Sequence, residues 1–399
     1  MGLGALTRCV GDTAVFAAEV WGRRPLLLRA HERADGSSYD DLLSPRDVDE
    51  LMGPRSLRVP FFRLVKDGTG LPESGYTRAV VAGNRRVADL PDAAKVATAY
   101  AEGATIVLQA LHRYWPPLAE FCADLAAELG HQVQANAYVT PPGAQGFTAH
   151  HDTHDVLVLQ VDGDKHWTVR EPLVPLPLSE QPSSSLPPGT AAAQPVALDV
   201  ELGPGDVLYL PRGWLHEAQT AGERSIHLTI GLLQTTWHDV LSDAVALAVD
   251  RLPLRAALPL PGRGPDDVEA FRAEVLEWLA GLPATELQRL TDARRARAVP
   301  PEPVAPLAQE SAVRSLHAGT PVRPRRGVTS SVRIADDRAV LALPDREVSF
   351  PAYVEDALRV ALVGAVTATD LDRHGLDDGD GLVLVRRLLR EGALLPVRS

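Results

Sequence analysis

The chain of 399 residues contains little cysteine, little lysine and no long uninterrupted apolar segment. Its two cysteines, Cys9 and Cys122, are too few for a disulfide framework and favour a reducing cytoplasm. No segment reaches the roughly 18 consecutive apolar residues that a membrane-spanning helix requires. The N-terminus lacks a cationic region followed by an apolar run, so the sequence predicts no secretory signal.

Positive charge is outnumbered by negative charge. The chain has 40 Lys and Arg residues against 52 Asp and Glu residues, which gives a formal net charge of -12. This balance argues against a nonspecific nucleic-acid binder, since such proteins carry a basic face, but an acidic surface would attract a basic protein. Only Lys66, Lys95 and Lys165 are lysines, so lysine is an uncommon choice of cation in this chain.

The residues that are present predict a globular chain with a full core, because 45% of them are hydrophobic. Many short apolar segments with turn signals between them, over residues 132–232, predict a jelly-roll barrel. Helical spacing over residues 92–102 and 114–129 predicts a helical flank before the barrel. The Pro-, Ser- and Ala-rich residues 171–195 predict a long surface loop within it.

The pattern changes to helical spacing from about residue 237. The sequence therefore predicts an α+β chain of three parts, residues 1–236, 237–320 and 321–399, which fits the two or three domains that this length allows. In the last part, helices closed by a short strand are typical of a winged-helix module, which often binds DNA. Acidic residues at the start of its last helix, such as Asp378, favour contact with protein or internal packing over DNA binding.

Two segments carry the most specific chemical pattern. His150 and Asp152 form a His-x-Asp pair, and the segment from Gly205 to His216 reads Gly-x5-Pro-x-Gly-x2-His. Two imidazoles and one carboxylate that leave coordination positions open are the ligand set of non-haem Fe(II) oxygenases. Since residues two apart on a strand point to one face, His150 and Asp152 can bind the same metal. The pattern predicts a metal site of His150, Asp152 and His216 that activates dioxygen.

Other interpretations of this pattern remain open. A lone His-x-Asp pair is a weak signal, and the second segment about 60 residues downstream is what makes metal binding the favoured interpretation. His154 is an alternative ligand or a substrate contact, and His227 is expected to line the pocket. Zinc also binds two histidines and a carboxylate, but no His-Glu-x-x-His pattern supplies the base of a hydrolytic zinc enzyme.

Several motifs resemble those of the JmjC hydroxylases of the ribosomal-oxygenase branch. They lie at residues 21–27, 136–152, 155–160, 165–167 and 203–216. The resemblance covers essentially the whole chain, although the tail is less specific than the motifs. It implies a cupin-like double-stranded β-helix, a helical dimerisation region over residues 237–320 and a C-terminal winged helix. It also implies a homodimer.

The same resemblance implies Fe(II) as cofactor, 2-oxoglutarate as co-substrate and O2. Lys165 occupies the family's position for the cation that binds the far carboxylate of 2-oxoglutarate. Asn136 and Tyr138 match polar pocket residues of the family, and Thr229 is a further pocket candidate. Each also has a structural interpretation, since lysines in hairpins are commonly solvated and buried amides and aromatics commonly belong to the core.

The leading hypothesis is an oxygenase that hydroxylates a protein side chain, Arg or His of a ribosomal protein. The substrate rests on family analogy alone. The same chemistry on a peptide or a small natural product is one alternative. A non-catalytic cupin-like binding or regulatory protein is another, although the intact ligand set argues against it. JmjC proteins can also demethylate lysine, but the motifs here resemble the hydroxylase branch.

Overall fold

A computed structural model describes residues 4–33, 36, 38–144, 147–220, 222–258 and 266–397. The chain divides into two compact units, residues 1–236 and 237–399. None of the helices in the described ranges combines the length and the apolarity needed to cross a membrane.

The strands of the first unit form one large sheet, one small sheet and a separate hairpin. They are β1 (Leu26–Leu28), β2 (Phe62–Lys66), β3 (Thr69–Gly70), β4 (Thr77–Ala82), β5 (Arg85–Pro91), β6 (Thr105–Leu108), β7 (Gln132–Thr140), β8 (Asp155–Asp162), β9 (Lys165–Arg170), β10 (Val196–Leu202), β11 (Val207–Leu210), β12 (Leu215–Gln219) and β13 (Ser225–Leu233). The large sheet has the order β1-β11-β8-β13-β7-β6-β2-β3, the small sheet has the order β10-β9-β12, and β4 pairs with β5.

The core of the first unit lies between the large and the small sheet. Val158 of β8 and Leu208 of β11 pack in one buried cluster with Trp167 and Val169 of β9. Strand β8 is buried along almost its whole length, as expected for a continuous apolar run in a central strand. Strand β9 instead alternates between buried and half-buried residues. Because side chains alternate along a strand with a period of two residues, Lys165 and Trp167 both point inward.

The first unit also contains helices, most of them in the part of the sequence before β7. They are α1 (Ala5–Val10), α2 (Thr13–Val15), α3 (Pro45–Met52), α4 (Ala93–Ala101) and α5 (Pro116–Leu129), with a π-helical turn at Phe16–Val20 and 3-10 turns at Ala30–Glu32, Glu73–Gly75, Leu111–Arg113 and Ser183–Ser185. Ser44 caps α3 in a reciprocal capping box with Asp47. Helix α5 is closed by a C-cap glycine, Gly130, whose φ of 68° is left-handed.

The second unit combines helices with two small sheets. Its helices are α6 (Trp237–Ala246), α7 (Asp266–Ala280), α8 (Ala284–Ala296), α9 (Pro306–Arg314), α10 (Glu355–Ala361) and α11 (Asp378–Arg390), with 3-10 turns at Leu247–Asp250, Leu252–Arg255, Ala352–Val354 and Thr369–His374. Its strands are β14 (Val322–Pro324), β15 (Ser331–Ala335), β16 (Arg338–Leu343), β17 (Arg346–Pro351) and β18 (Leu394–Pro396). Strand β14 pairs with β18, and β15, β16 and β17 form a meander. Helices α10 and α11 pack on one core with these strands.

The mixed helix and sheet content and the cupin-like barrel agree with the predicted α+β class. Residues 171–195 form a loop between β9 and β10 that contains a single 3-10 turn, as expected. The hairpin of β4 and β5 was not predicted, although Gly83 and Asn84 between two alternating segments are a hairpin signal. Gln145 and Gly146, which belong to the 136–152 motif, lie outside the described residues.

Candidate metal centre and its cavity

A cavity of about 280 Å³ lies between the two sheets of the first unit. Strands β2, β6, β7, β8 and β13 of the large sheet and β9 and β12 of the small sheet contribute to its walls. The side chains that line it are Arg63, Thr105, Tyr138, Phe147, His150, Asp152, Val156, Val158, Lys165, Trp167, His216, Glu217, Ala218, His227 and Thr229. The cavity therefore contains the three predicted metal ligands and three of the four predicted cofactor-binding residues.

The structure brings His150, Asp152 and His216 together. One ligand atom from each of these residues lies within 4.8 Å of the other two, and His216 Nε2 is 3.8 Å from Asp152 Oδ2. The two imidazole rings are 4.4 Å apart between centroids. Such a cluster can hold a metal ion on one side and leave the opposite positions open.

Hydrogen bonds fix the tautomers of both imidazoles. His150 Nδ1 lies 2.8 Å from the carbonyl oxygen of Thr148, and His216 Nδ1 lies 3.1 Å from that of Trp214. Because a carbonyl oxygen only accepts, each Nδ1 carries the hydrogen and donates it. In a neutral ring, each Nε2 is then unprotonated and carries a lone pair, which is the form that binds a metal.

Backbone hydrogen bonds hold the two ligand segments against each other. The amide of His150 donates to the carbonyl of His216 at 3.1 Å, and the amide of His216 donates back at 2.8 Å. The amide of Gly213 donates to the carbonyl of Asp152 at 3.0 Å. These three bonds join segments more than 60 residues apart in the sequence, so the ligand geometry is part of the fold.

The protonation states also suit a divalent cation. Burial, together with the charge of His150, lowers the pKa of His216 to about 4, so this imidazole is neutral. Burial would raise the pKa of Asp152, but the neighbouring His216, His154 and His150 hold it below its ordinary value. A neutral imidazole and an ionised carboxylate are the states that metal binding requires.

Lys165 lies in the same cavity and is only 3% exposed. Its Nζ donates a hydrogen bond to Thr140 Oγ1 at 3.0 Å, and no carboxylate among the described residues forms an ion pair with it. Burial lowers the pKa of Lys165 to about 7. A buried ammonium group without a counter-ion is a suitable binding site for an anion.

Tyr138 and His227 form one wall of the cavity. They are cross-strand partners of β7 and β13, and their rings stack at 5.0 Å between centroids. Burial raises the pKa of Tyr138 to about 12, so its hydroxyl keeps its proton. Burial and the charge of Lys165 keep the pKa of His227 well below its ordinary value. Among the described residues, His227 Nδ1 and Trp167 Nε1 are buried and have no hydrogen-bond partner, so these walls can bind a polar ligand.

The structure separates Asn136 from the other predicted cofactor-binding residues. Its Oδ1 accepts a hydrogen bond from the amide of Ala110 at 2.9 Å, and its side chain is absent from the described walls of the cavity. Thr229, its cross-strand partner, does line the cavity. The side-chain oxygen of Asn136 is thus hydrogen-bonded to the backbone beside the site.

The other histidines near the ligands have different partners. His154 Nε2 lies 3.5 Å from the side-chain amide of Gln134, and His154 Nδ1 lies 3.2 Å from the carbonyl of Asp155. Among the described residues, His154 is not part of the cluster that can hold a metal. His151 is buried and faces the loop of residues 171–195.

Sequence reasoning missed Arg63 and Phe147, which also line the cavity. The guanidinium group of Arg63 lies 5.5 Å from the centre of the Phe147 ring, and the Phe147 ring lies 5.8 Å from that of His150. Arg63 Nε is buried and has no hydrogen-bond partner among the described residues. The signal available for Arg63 was a charged residue between the apolar Phe62 and Leu64 of β2, since such a residue needs a polar environment.

Comparisons with known proteins agree with this geometry. Residues 112–240 match the family model of the JmjC domain, so the resemblance predicted from the motifs is confirmed for this part of the chain. Ribosomal oxygenase 1 of Homo sapiens is 33% identical over 257 residues, which are 61% of this chain and 37% of that protein. The bifunctional lysine-specific demethylase and histidyl-hydroxylase NO66 of Aedes aegypti is 32% identical over 256 residues, which are 61% of this chain and 38% of that protein.

The matched segments therefore span less than two thirds of the length of these relatives. Among solved structures, the ribosomal oxygenase YcfD of Escherichia coli in complex with cobalt and 2-oxoglutarate has a TM-score of 0.54 and 18% sequence identity. That alignment covers 97% of this chain and 98% of the other. At this identity the likeness shows a shared fold.

Proposed function

This chain carries a JmjC domain over residues 112–240, and from that premise we propose an Fe(II)- and 2-oxoglutarate-dependent oxygenase that hydroxylates a protein side chain. The proposal rests on the residues that line one cavity. It combines three possible metal ligands with a buried lysine that has no carboxylate partner in the described part of the chain. A metal site beside an anion site suits a co-substrate that binds to both.

In this proposal, His150, Asp152 and His216 hold the iron and leave the remaining positions open. Iron with 2-oxoglutarate and O2 supplies oxidative chemistry: one oxygen atom enters a C–H bond of the substrate, and the other converts 2-oxoglutarate to succinate and CO2. The protein contributes binding, orientation and the exclusion of water.

Lys165 binds the far carboxylate of 2-oxoglutarate. Its hydrogen bond to Thr140 fixes the position of Nζ, and its burial places the ion pair in a medium of low dielectric constant, where a charge-assisted hydrogen bond is strong. Tyr138 and Thr229 present hydroxyl groups on the neighbouring strands. Asn136 stays a candidate on β7, directly opposite Thr229: its Oδ1 accepts the backbone amide of Ala110, and its Nδ2 is the donor that can bind a carboxylate.

We propose that the substrate is an Arg or His side chain of a ribosomal protein. Two considerations support this class. Several relatives of the chain are named ribosomal oxygenases, and others are named bifunctional lysine-specific demethylase and histidyl-hydroxylase. The formal net charge of -12 favours encounter with basic proteins such as those of the ribosome.

We also propose a homodimer formed by the helical region of residues 237–320. Helix α6 exposes an apolar stripe with a spacing of four residues that continues into the next turn: Trp237 is 79% exposed, Leu241 47%, Val245 53% and Val249 64%. A stripe of this kind on a helix is typical of an interface, and an isologous pairing of two copies would cover it.

The remaining parts of the proposal concern the C-terminal region and the compartment. We propose a winged-helix module for residues 321–399, supported by the shared core of the β15-β16-β17 meander with α10 and α11. Helix α11 begins with Asp378 and Asp380, which favours protein contact over DNA. The free, buried Cys9 and Cys122 suit a reducing cytoplasm.

The test of this function is mass spectrometry of ribosomal proteins from the source cells after incubation with the enzyme, Fe(II), ascorbate and 2-oxoglutarate. His150→Ala is the control. We expect the mass of one oxygen atom to be gained at a single residue with the wild type alone. Succinate without a modified ribosomal protein would overturn the substrate class and keep the oxygenase. Absence of both would overturn the oxygenase and favour a binding protein.

A further inference from the structure

The loop of residues 171–195, here called the strap, contacts both segments that carry the metal ligands. Its base is closed by a hydrogen bond from the amide of Glu171 to the carbonyl of Pro195 at 3.0 Å. It is rich in proline and serine, which suggested an ordinary surface loop. Its contacts with His151 and with Gly213 place it beside His150, Asp152 and His216.

The first contact is with His151, which lies between two ligands in the sequence. The amide of His151 donates a hydrogen bond to Ser183 Oγ at 3.1 Å. His151 Nε2 lies 3.1 Å from the carbonyl oxygen of Gln181. Since that oxygen only accepts, Nε2 carries the hydrogen and donates it. Both the backbone and the ring of His151 are therefore held by the strap.

This contact matters because the ligand segment has little regular structure of its own. Strand β7 ends at Thr140 and β8 begins at Asp155, and His150 has only an isolated bridge to His216. The amide of His151 therefore has no ladder partner. His151 is 3% exposed, and an unsatisfied buried amide is costly, so the Ser183 hydroxyl replaces the missing strand.

The second contact is with Gly213, three residues before His216. An added Cβ at Gly213 would lie 2.4 Å from the carbonyl oxygen of Val174 and 2.8 Å from Cδ of Pro177, so the strap packs directly on its backbone. The adjacent Leu176 has a φ of 49°, a left-handed conformation that is strained for a leucine. Such a conformation persists only where surrounding contacts determine it.

We propose that the strap positions the metal ligands, with Ser183 and His151 as the positioning residues through which it acts. The inference rests on the proposed function in that the ligands hold a metal. The Ser183 hydroxyl fixes the backbone between His150 and Asp152. The 174–177 segment fixes the turn before His216. The strap thereby supports each half of the ligand set from outside, in addition to the three backbone hydrogen bonds that join the two halves directly.

The test uses the full chain and the variant Ser183→Ala, with Ser185→Ala as the matched control. Ser185 lies in the same 3-10 turn, but its hydroxyl donates to the carbonyl of Pro182 within the strap. Co(II) affinity is measured from the absorption spectrum on titration. We expect Ser183→Ala to bind Co(II) about 10-fold more weakly, as for other residues that orient metal ligands. Ser185→Ala is expected to match the wild type.

Two further measurements separate positioning from folding and from metal binding itself. Ser183→Thr retains the hydroxyl and is expected to restore Co(II) affinity. In the metal-free protein, hydrogen exchange of the His151 amide is expected to be at least about 10-fold faster in Ser183→Ala than in wild type, because its hydrogen bond is lost.

Unchanged exchange and unchanged Co(II) affinity in Ser183→Ala would overturn the inference. An equal loss of affinity in Ser185→Ala would also overturn it, since the loop would then act only through overall stability. Failure of the wild type to bind Co(II), beside a His150→Ala control, would overturn the proposed metal site itself. The exchange of the His151 amide would in that case still report whether Ser183 holds this segment.

Discussion

Lys165 and Thr140 form a buried hydrogen bond, in which Nζ donates to Oγ1 at 3.0 Å. Thr140 ends β7 and Lys165 begins β9, so the bond connects the large sheet to the small one. A hydroxyl group satisfies one N–H of the ammonium group but supplies no negative charge. Burial therefore lowers the pKa of Lys165 to about 7, and the lysine reduces the stability of the metal-free fold while favouring an anionic ligand.

The first prediction concerns the pH dependence of stability. The pKa of Lys165 is about 7 in the fold and 10.5 for an ordinary lysine. Between these values the unfolded chain holds a proton that the folded chain lacks, so the free energy of unfolding rises with pH by about 1.4 kcal/mol per unit. In Lys165→Met this contribution disappears, and we expect the variant to be more stable than wild type near pH 7.

The measurement is urea unfolding of the metal-free wild type and variant between about pH 7 and pH 9. The stability advantage of Lys165→Met is expected to shrink by about 1.4 kcal/mol per pH unit over that interval. The difference in the free energy of unfolding between variant and wild type is free of the contributions of other titrating groups, because these cancel. Lys95→Met, at an exposed lysine, controls for the loss of a lysine. A constant difference across the interval would contradict the lowered pKa.

The second prediction concerns proton uptake when 2-oxoglutarate binds. A carboxylate next to Lys165 favours the charged ammonium and raises its pKa. At about pH 8.5 the free lysine is mostly neutral, so binding of 2-oxoglutarate to the Co(II)-loaded protein takes up about one proton. Calorimetry in two buffers of different ionisation enthalpy measures this number.

In Lys165→Met we expect no such uptake. The affinity for 2-oxoglutarate should fall about 10- to 100-fold, which corresponds to the loss of one charge-assisted hydrogen bond. An unchanged proton count in the variant would place the carboxylate away from Lys165 and point to Arg63 as its partner.

The metal ligands could be predicted from the sequence, but the residues that surround them could not. The spacing within His150-x-Asp152 and the glycines before His216 follow from local rules for strands and turns, so the pattern could be recognised directly. Arg63 enters the cavity because β2 extends the large sheet beyond β6, and that pairing depends on a long-range register. The contact of Ser183 with His151 spans 32 residues, and no periodicity encodes it.

The third prediction concerns the buried hydroxyl of Tyr209. It accepts a hydrogen bond from the amide of Gly22 at 2.9 Å and donates one to the carboxylate of Asp155. Burial raises the pKa of Asp155, and the bond from Tyr209 acts against this. Tyr209→Phe removes both bonds: the half-buried amide of Gly22 loses its acceptor, and the buried carboxylate of Asp155 keeps only the amide of Arg212, so we expect the free energy of unfolding to fall by about 2–4 kcal/mol.

Tyr100→Phe is the matched control for this loss. The hydroxyl of Tyr100 is also buried, but no residue in the described part of the chain forms a hydrogen bond with it. Its removal is therefore expected to be neutral or slightly stabilising. Urea unfolding at one pH compares the two variants, and equal effects would mean that the Tyr209 bonds contribute nothing beyond the burial of a phenol.

The last prediction concerns assembly through α6. Leu241 and Val245 are 47% and 53% exposed on the apolar stripe, and a charge placed there would have to be buried in a dimer without a partner. We expect Leu241→Glu and Val245→Glu to convert a dimer into a monomer in light scattering at micromolar concentration. Ala246→Glu is the control, because Ala246 is exposed on α6 about 140° from Leu241 and about 100° from Val245 around the helix axis. A dimer that persists in both stripe variants would place the interface elsewhere, and a monomeric wild type would remove it.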